Sequence, residues 1–590
     1  MSKIGDNLLV KVLVILLLAC LSPAGSSGEP WDTYSDTWVC ADRLGRELPS
    51  QDDAGKPREN RSVGLFYYIW HGSHGYDRHM DPSRDDPNEG QGPLLPDPKA
   101  DVDSPRDITR ILEAPMGARP WGPKDTWHHW GESVFGYYVA NDEWLIRRHA
   151  RLFADAGIDV VIFDTTNGFH YRDTYMKILE IYADIRAQGG TTPRIAFNCG
   201  VIPENNQRVV GAVYRDLYSK ELYKDLWFMW KGKPLILANF EAVDQRYIDY
   251  FSIRYSWAWS KKGRRWFGDG KDRWPWLEEY PQAYGWHEDP EVPEQVVVAT
   301  AEHPGHDVGK SFSGGKPAHP AKTPLGLYFS EQWKRALEVD PEFVLITQWN
   351  EWIAMRFELP GRKMRGETLP DDHPQFVDLL DAEYNRDIEP MRGGFADNYY
   401  YQMIDGIRRY KGVRKHRNIF RDTVRDIEQR NHYGWGNVGR LQDGTGRNDI
   451  QEAKVSVQDG MIEFKVETVD PLTPPAGENW MELFIATGQN GPNWEGYQFR
   501  VRLDTFRKKN YVLERSLGGW MWEGLAELDY AVDGKVLSLK VPRSLLDLDK
   551  ADVSFRFKWS DNRQTTDALD WLIHGDAAPN GRFQFLFEGE

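Results

Sequence analysis

The feature that most restricts this chain is an alternation. Short apolar runs that stop at a polar or aromatic residue are followed by stretches with helical spacing. Val63-Gly64-Leu65-Phe66-Tyr67-Tyr68-Ile69-Trp70 reads as a buried strand stopped by His71-Gly72. Asn141-Asp142 then opens a helix with Trp144, Leu145, His149, Leu152 and Phe153 on one face, and Gly157 closes it. Ile158 to Phe163 is the next strand, ending in Asp164-Thr165-Thr166-Asn167-Gly168. The pattern repeats with a helix at 171–187, strand 194–198, helix 206–224, strand 234–239, strand 251–259, strand 295–302, helix 330–338 and strand 343–352. Apolar strands separated by helices imply a parallel sheet covered on both faces. Seven strands can be placed and an eighth cannot. Almost every strand ends in a polar or aromatic residue. A (β/α)8 TIM-type barrel gathers all such ends on one face, whereas an open sheet uses only its switch point. The α/β expectation is therefore a barrel over 63–434, after a polar lead-in at 29–62. No Gly-rich phosphate loop follows the first strand, so no nucleotide cofactor is expected.

Near 435–450 the pattern changes. Gly434, Gly436, Gly439, Gly444 and Gly446 cluster, and short alternating runs follow, such as 461–466, 481–486, 497–503, 536–541, 553–559 and 583–587. These predict an antiparallel β-sandwich over 435–590. At the other end, Lys3 and Lys11 precede a greasy run from Val12 to Leu18 that is too short to span a bilayer. Residues 1–26 read as a signal peptide. Leu17-Leu18-Ala19-Cys20 also resembles a lipoprotein box, with cleavage after 19 and a lipid anchor through Cys20. Both routes predict an exported protein that is periplasmic, attached to the cell surface or secreted. Only Cys40 and Cys199 remain beyond Cys20, too few for a disulfide framework. They either pair once or stay as buried thiols.

The formal net charge of -17 argues against a nucleic-acid partner, which calls for a basic footprint. The 25 Trp and 27 Tyr are more informative. Where they sit with amides and carboxylates at strand ends they suit sugars, because a ring covers the C–H face of a pyranose while polar groups meet its hydroxyls. Candidate sugar contacts are Trp70, His71, Asn167, Asn198, Asn239, Trp257, Trp286, His303, Gln348 and Trp349. The sharpest signal is Gln348-Trp349-Asn350-Glu351-Trp352, a carboxylate between two indoles where a buried strand should end apolar. Burial beside indole raises a carboxyl pKa, as a general acid requires.

That segment resembles the signature of the endo-α-mannosidase superfamily, glycoside hydrolase family 99 and its WbsX-like relatives, and more distantly the family 71 α-1,3-glucanases. Gly157 to Asp164 and the aromatic Phe66-Tyr67-Tyr68 are similar to it as well, and the resemblance covers roughly residues 60–400. It implies a (β/α)8 fold and hydrolysis of α-linked glycans by two glutamates three residues apart. The first falls on Glu351. The second falls on Ala354, which moves no proton, so another strand has to supply the second carboxylate. Asp164 and Glu302 both end strands, with Glu288 a weaker third choice. Asp164 is preferred as the ionised partner of a protonated Glu351; if its carboxylate caps the following turn, Glu302 takes the role. Glu302-His303 with His306-Asp307 matches no metal cage, so no metal is expected. The sandwich loosely resembles family 9 carbohydrate-binding modules, and Trp494, Trp520 and Trp522 are its candidate sugar platform. The expected function is hydrolysis of a glycosidic bond in an external polysaccharide or oligosaccharide. The alternative is a surface glycan-binding protein that kept the barrel and lost the chemistry.

Overall fold

The computed structural model describes residues 31–589 except most of 73–126, residues 303–310, most of 358–386, and 201, 262–265, 317, 435–438, 478, 506–509 and 549–552. The signal segment, Cys20, His303, His306 and Asp307 lie outside the described residues.

Seven parallel strands form one curled sheet. They are β1 (Ser62–Tyr67), β2 (Val160–Asp164), β3 (Arg194–Asn198), β4 (Lys233–Leu237), β5 (Ser252–Arg254), β6 (Gln295–Val298) and β7 (Phe343–Ile346). Their order is β5-β4-β3-β2-β1-β7-β6, a cyclic permutation of chain order, as a barrel requires. Strands β5 and β6 are not paired with each other. The segment that follows the Trp-rich loop fills the gap irregularly. Tyr255 donates to Asp272 O, Trp274 to Tyr255 O, Trp276 to Trp257 O and Trp259 to Leu277 O, and on the far side Gln295 Nε2 donates to Pro275 O. This stretch lies between β5 and β6, where a complete barrel would carry its remaining strand. The observed architecture is thus a curled, partial barrel with irregular loop backbone between β5 and β6.

Helices α1 (Glu143–Ala156), α2 (Arg172–Ala187), α3 (Pro203–Asp216), α4 (Leu327–Val339) and α5 (Asn398–Lys411) accompany the sheet. Alternation along β1 separates two environments. Tyr67 faces the helices, hydrogen-bonded to His149 and packed on Phe153 of α1. Phe66 faces inward and stacks across the interior on Trp276. Gly64 shares that inward row, and there only glycine fits: a Cβ would lie 2.5 Å from the Phe343 ring. The base of the interior is closed by Trp274 against Phe343, and by Glu294, which accepts from Arg254, Trp230 and Trp274.

The C-terminal sheets are antiparallel, five strands (Phe420–Arg421, Ile450–Gln458, Met461–Thr468, Val536–Pro542, Tyr530–Asp533) facing seven. Phe464 of the first meets Phe555 and Phe557 of the second, the mark of a sandwich core. The first sandwich strand, Phe420–Arg421, lies inside the span read as barrel. The Gly-rich stretch belongs to a hairpin, Arg430–Tyr433 with Arg440–Asp443, rather than to a linker. The lead-in is tied to the sandwich through Val39 paired with Gln584. Cys40 and Cys199 are separate buried free thiols. Among the described residues no helix is long and apolar enough to cross a membrane.

Candidate active site

The carboxyl ends of β1, β2, β6 and β7 carry most of the residues singled out above. Strand β7 ends at Ile346, sooner than expected, because Gln348 adopts a left-handed φ of 80°. The Gln348 side chain turns to the neighbouring strand end, accepting from Thr300 N and Oγ1. Asn350 clamps the other neighbour: its Oδ1 accepts from Tyr68 N, and its Nδ2 donates to Tyr68 O and the Tyr138 hydroxyl. Two amides therefore fasten this loop to the strands on either side. Glu351 sits between them, buried at 8% exposure, with its backbone N–H donated to Asp387.

The two indoles beside Glu351 in sequence are engaged elsewhere. Trp349 is fully buried against His149 and Phe153 of α1 and Tyr400 of α5, so it is a core residue of the helical layer. Trp352 stacks on Trp130 and donates its indole N–H to Glu389. Glu389 also bonds Ser133, Tyr138 and His149, completing a buried network behind the loop. Both indoles thus also serve the packing behind the loop. Ala354, at the position of the missing glutamate, lies in the strand Ile353–Phe357, paired with His128 of Trp127–His129.

Asp164 ends β2 and is 3% exposed. Its Oδ1 accepts from Thr166 N at 2.9 Å, so it does cap the turn, and its Oδ2 accepts from the Trp70 indole at 2.8 Å. Burial pushes its carboxyl above the usual aspartate range, against the hydrogen bonds from Thr166 and Trp70. Trp70 continues the inward row of β1 after Phe66 and Tyr68, and it packs edge-on to Tyr68 and stacks on His71. This carboxylate is therefore held at the mouth of the interior. Glu302 is fully buried, its Oε2 accepting from the Trp259 indole and its Oε1 from the Tyr328 hydroxyl of α4. Burial and Glu302 together keep Tyr328 protonated and hence a donor. Because α4 lies outside the sheet, Glu302 is anchored towards the helical layer.

The remaining candidates divide. Asn198 is buried next to Asp164 in register; its Oδ1 accepts from Gly200 N, while its Nδ2 has no partner among the described residues. Trp257 is half-buried and meets Trp276, so it lines the interior. Asn239 caps the following turn through Glu241 N, and Asn167 is exposed. Trp286 bonds Asp269 O under the Lys271 ammonium, in the loop that also carries the exposed Glu288. Sequence reading missed Tyr68, Trp276 and Glu294. The period-two series Phe66, Tyr68, Trp70 could have revealed the first; the other two have no local signature. In the sandwich, Trp494 is buried, and its ring stands at 77° to Trp520. Arg563 covers Trp520 at 3.9 Å. The three tryptophans do not form a flat platform.

No protein-family model matches the chain, and no curated protein matches it. Solved structures similar to it include the GH99 endo-alpha-mannosidase from Bacteroides thetaiotaomicron. One structure of that enzyme is 14% identical over 59% of this chain and 97% of the other, with a TM-score of 0.32. A second covers 60% and 98% at the same identity and TM-score. A glycoside hydrolase-like protein is 11% identical over 64% of this chain and 99% of its own, with a TM-score of 0.30. The first two are structures of a glycoside hydrolase, and the third is named only as glycoside hydrolase-like. At such scores the likeness is one of partial architecture, and the functional reading rests on the site's own residues.

Proposed function

We propose that the chain is an exported glycoside hydrolase acting on an external polysaccharide or oligosaccharide, with Glu351 and Asp164 as its paired carboxyl groups. The observation that carries this reading is Asp164 bonded to Trp70 at the mouth of an interior lined by Phe66, Tyr68, Trp257 and Trp276. Aromatic faces and an oriented carboxylate are what a buried pyranose needs. Glu351, clamped on the neighbouring loop, transfers the proton to or from the glycosidic oxygen. Asp164 caps the turn with Oδ1, the condition that would pass the role to Glu302, but both Glu302 oxygens are taken by Trp259 and Tyr328. Asp164 keeps Oδ2 on Trp70 at the mouth of the interior, so it stays the opposing base or nucleophile. Glu302, tied to Trp259 and Tyr328, braces the rim.

The test is reducing-end release from a panel of α- and β-linked glycans, acidic ones included, by wild type and Glu351→Gln. Release that the variant loses supports the reading. Binding without release by the wild type would favour the glycan-binding alternative, for which the alanine at 354 speaks. Release retained by Glu351→Gln would make the loop structural.

A further inference from the structure

Where helix α1 meets the sandwich, a group of acids is packed that the glycosidase reading does not use. Asp426, Asp449 and Asp576 are each at least nine-tenths buried, and each offers a carboxylate oxygen within 4.8 Å of those of the others. Part of this charge is answered. Arg151 of α1 bonds Asp426 and Asp422 and lies 3.9 Å from both Asp155 and Asp576. Arg148 approaches Asp426 at 4.0 Å, and Lys558 is buried near Asp422 and Asp576. Glu428 is taken by Arg147. Asp155, Asp422, Asp426, Asp449 and Asp576 thus pack together with three cationic side chains, Arg148, Arg151 and Lys558.

A second observation points to a ligand. Asp449 Oδ2 accepts from Arg425 N and Asp426 Oδ2 from Arg151, but Oδ1 of each is buried without any partner among the described residues. A buried carboxylate oxygen left unpaired costs free energy comparable to a lost charged hydrogen bond, and it is rare without an occupant. A cavity of about 40 Å³, lined by Arg151, Asp155, Val424 and Asp426, opens beside Asp426. That is more than the room one water or ion needs.

We propose that Asp426, Asp449 and Asp576 form a binding site for a divalent cation of calcium size, which fastens the loop carrying Asp426 to the sandwich segments carrying Asp449 and Asp576. Oxygen donors select a hard cation. Calcium's flexible shell of six to eight oxygens accepts an irregular set of carboxylates, carbonyls and waters more readily than magnesium's strict octahedron does. Three carboxylates leave the remaining positions to water and backbone carbonyls.

The experiment uses the full chain, stripped with EDTA and then titrated with calcium chloride, with magnesium chloride as comparator. Calcium is expected to bind with a stoichiometry of one and to raise Tm by several degrees at saturation, magnesium by less. Asp449→Asn is expected to lose the calcium response, and without metal to melt no lower than wild type, because one repelling charge is gone. Asp533→Asn, an exposed acid of the same domain, is expected to keep the full response. The proposal is overturned if the stripped wild type neither binds calcium nor changes Tm, or if Asp449→Asn responds like wild type. Should Asp449→Asn fail to fold, the wild-type titration alone decides.

Discussion

Two sets of buried carboxylates in this chain are held by different means. At the rim, Asp164 and Glu302 are held by neutral donors: indole N–H groups, a backbone amide and a tyrosine hydroxyl. At the barrel base and at the sandwich junction, Glu294 and Asp422 are held by guanidinium groups. Neutral donors orient a carboxylate without cancelling its charge, as the Thr166 amide and the Trp70 indole do for Asp164. A guanidinium cancels that charge and turns the group into a fastening. Residues of one chemical type are thereby sorted into those fit for chemistry and those fit for structure.

The largest effect expected from this contrast is on rate. Glu351→Gln keeps the volume and removes the titration, so turnover should fall about 10²–10⁴-fold while the melting curve stays near wild type. Steady-state kinetics alongside thermal unfolding measure both; a parallel loss of stability would place Glu351 with the fastenings. Next is Arg254→Ala at the base. It strands Glu294 at 1% exposure and should cost roughly 3–5 kcal/mol in urea unfolding. In the wild type, burial of Glu294 works against Arg254, Trp230 and Trp274, which win and hold its carboxyl below the usual range. Its stabilisation is present above the unfolded glutamate value and is lost as pH falls through the folded one. Without Arg254 burial dominates, so the variant should instead gain stability relative to wild type as pH falls.

A smaller effect is predicted at the rim. If Asp164 works ionised, activity falls as pH drops through its pKa, which burial already raises. Trp70→Phe removes a donor that favours the ionised form. The acid limb of the pH–rate profile should then move upward, by about half to one pH unit. An unmoved limb would take Asp164 out of the reaction. The smallest effect belongs to a surface pair. Arg58 and Arg61 hold Asp340 down to about 2 despite its partial burial. Its stabilisation is therefore present above the ordinary aspartate value and lost as pH falls towards about 2. With the carboxylate 40% exposed, Asp340→Asn should cost under about 1 kcal/mol at neutral pH, and less in high salt.

Much of the scaffold was legible. The run 194–198 matches its strand to the residue, and the runs near 160, 234, 295 and 343 all contain strands, because a strand buried on both faces needs uninterrupted apolar residues. The errors lie at strand ends. The segment 343–352 read as one strand, but the left-handed Gln348 ends it, and a backbone torsion of that kind has no apolar pattern to betray it. The closing segment 272–277 was unreadable for a related reason: its order comes from scattered backbone bonds and tryptophan packing, not from periodicity.

What the sequence determined by itself was the set of parts: strand cores whose apolar side chains must leave water, helices with one greasy face, an antiparallel sandwich, and acids placed after strands. These follow from local spacing, since periods of two and 3.6 dictate which side chains share a face. Only the tertiary structure decided where the aromatic rings and charges went. Trp349 and Trp352 flank Glu351 in sequence yet serve Tyr400 and Glu389, while Trp70 and Trp259, distant in sequence, orient the two strand-end acids. Whether a carboxylate faces an indole or a guanidinium depends on which strand ends and helices meet. That is settled by packing the whole core, and no local pattern encodes it.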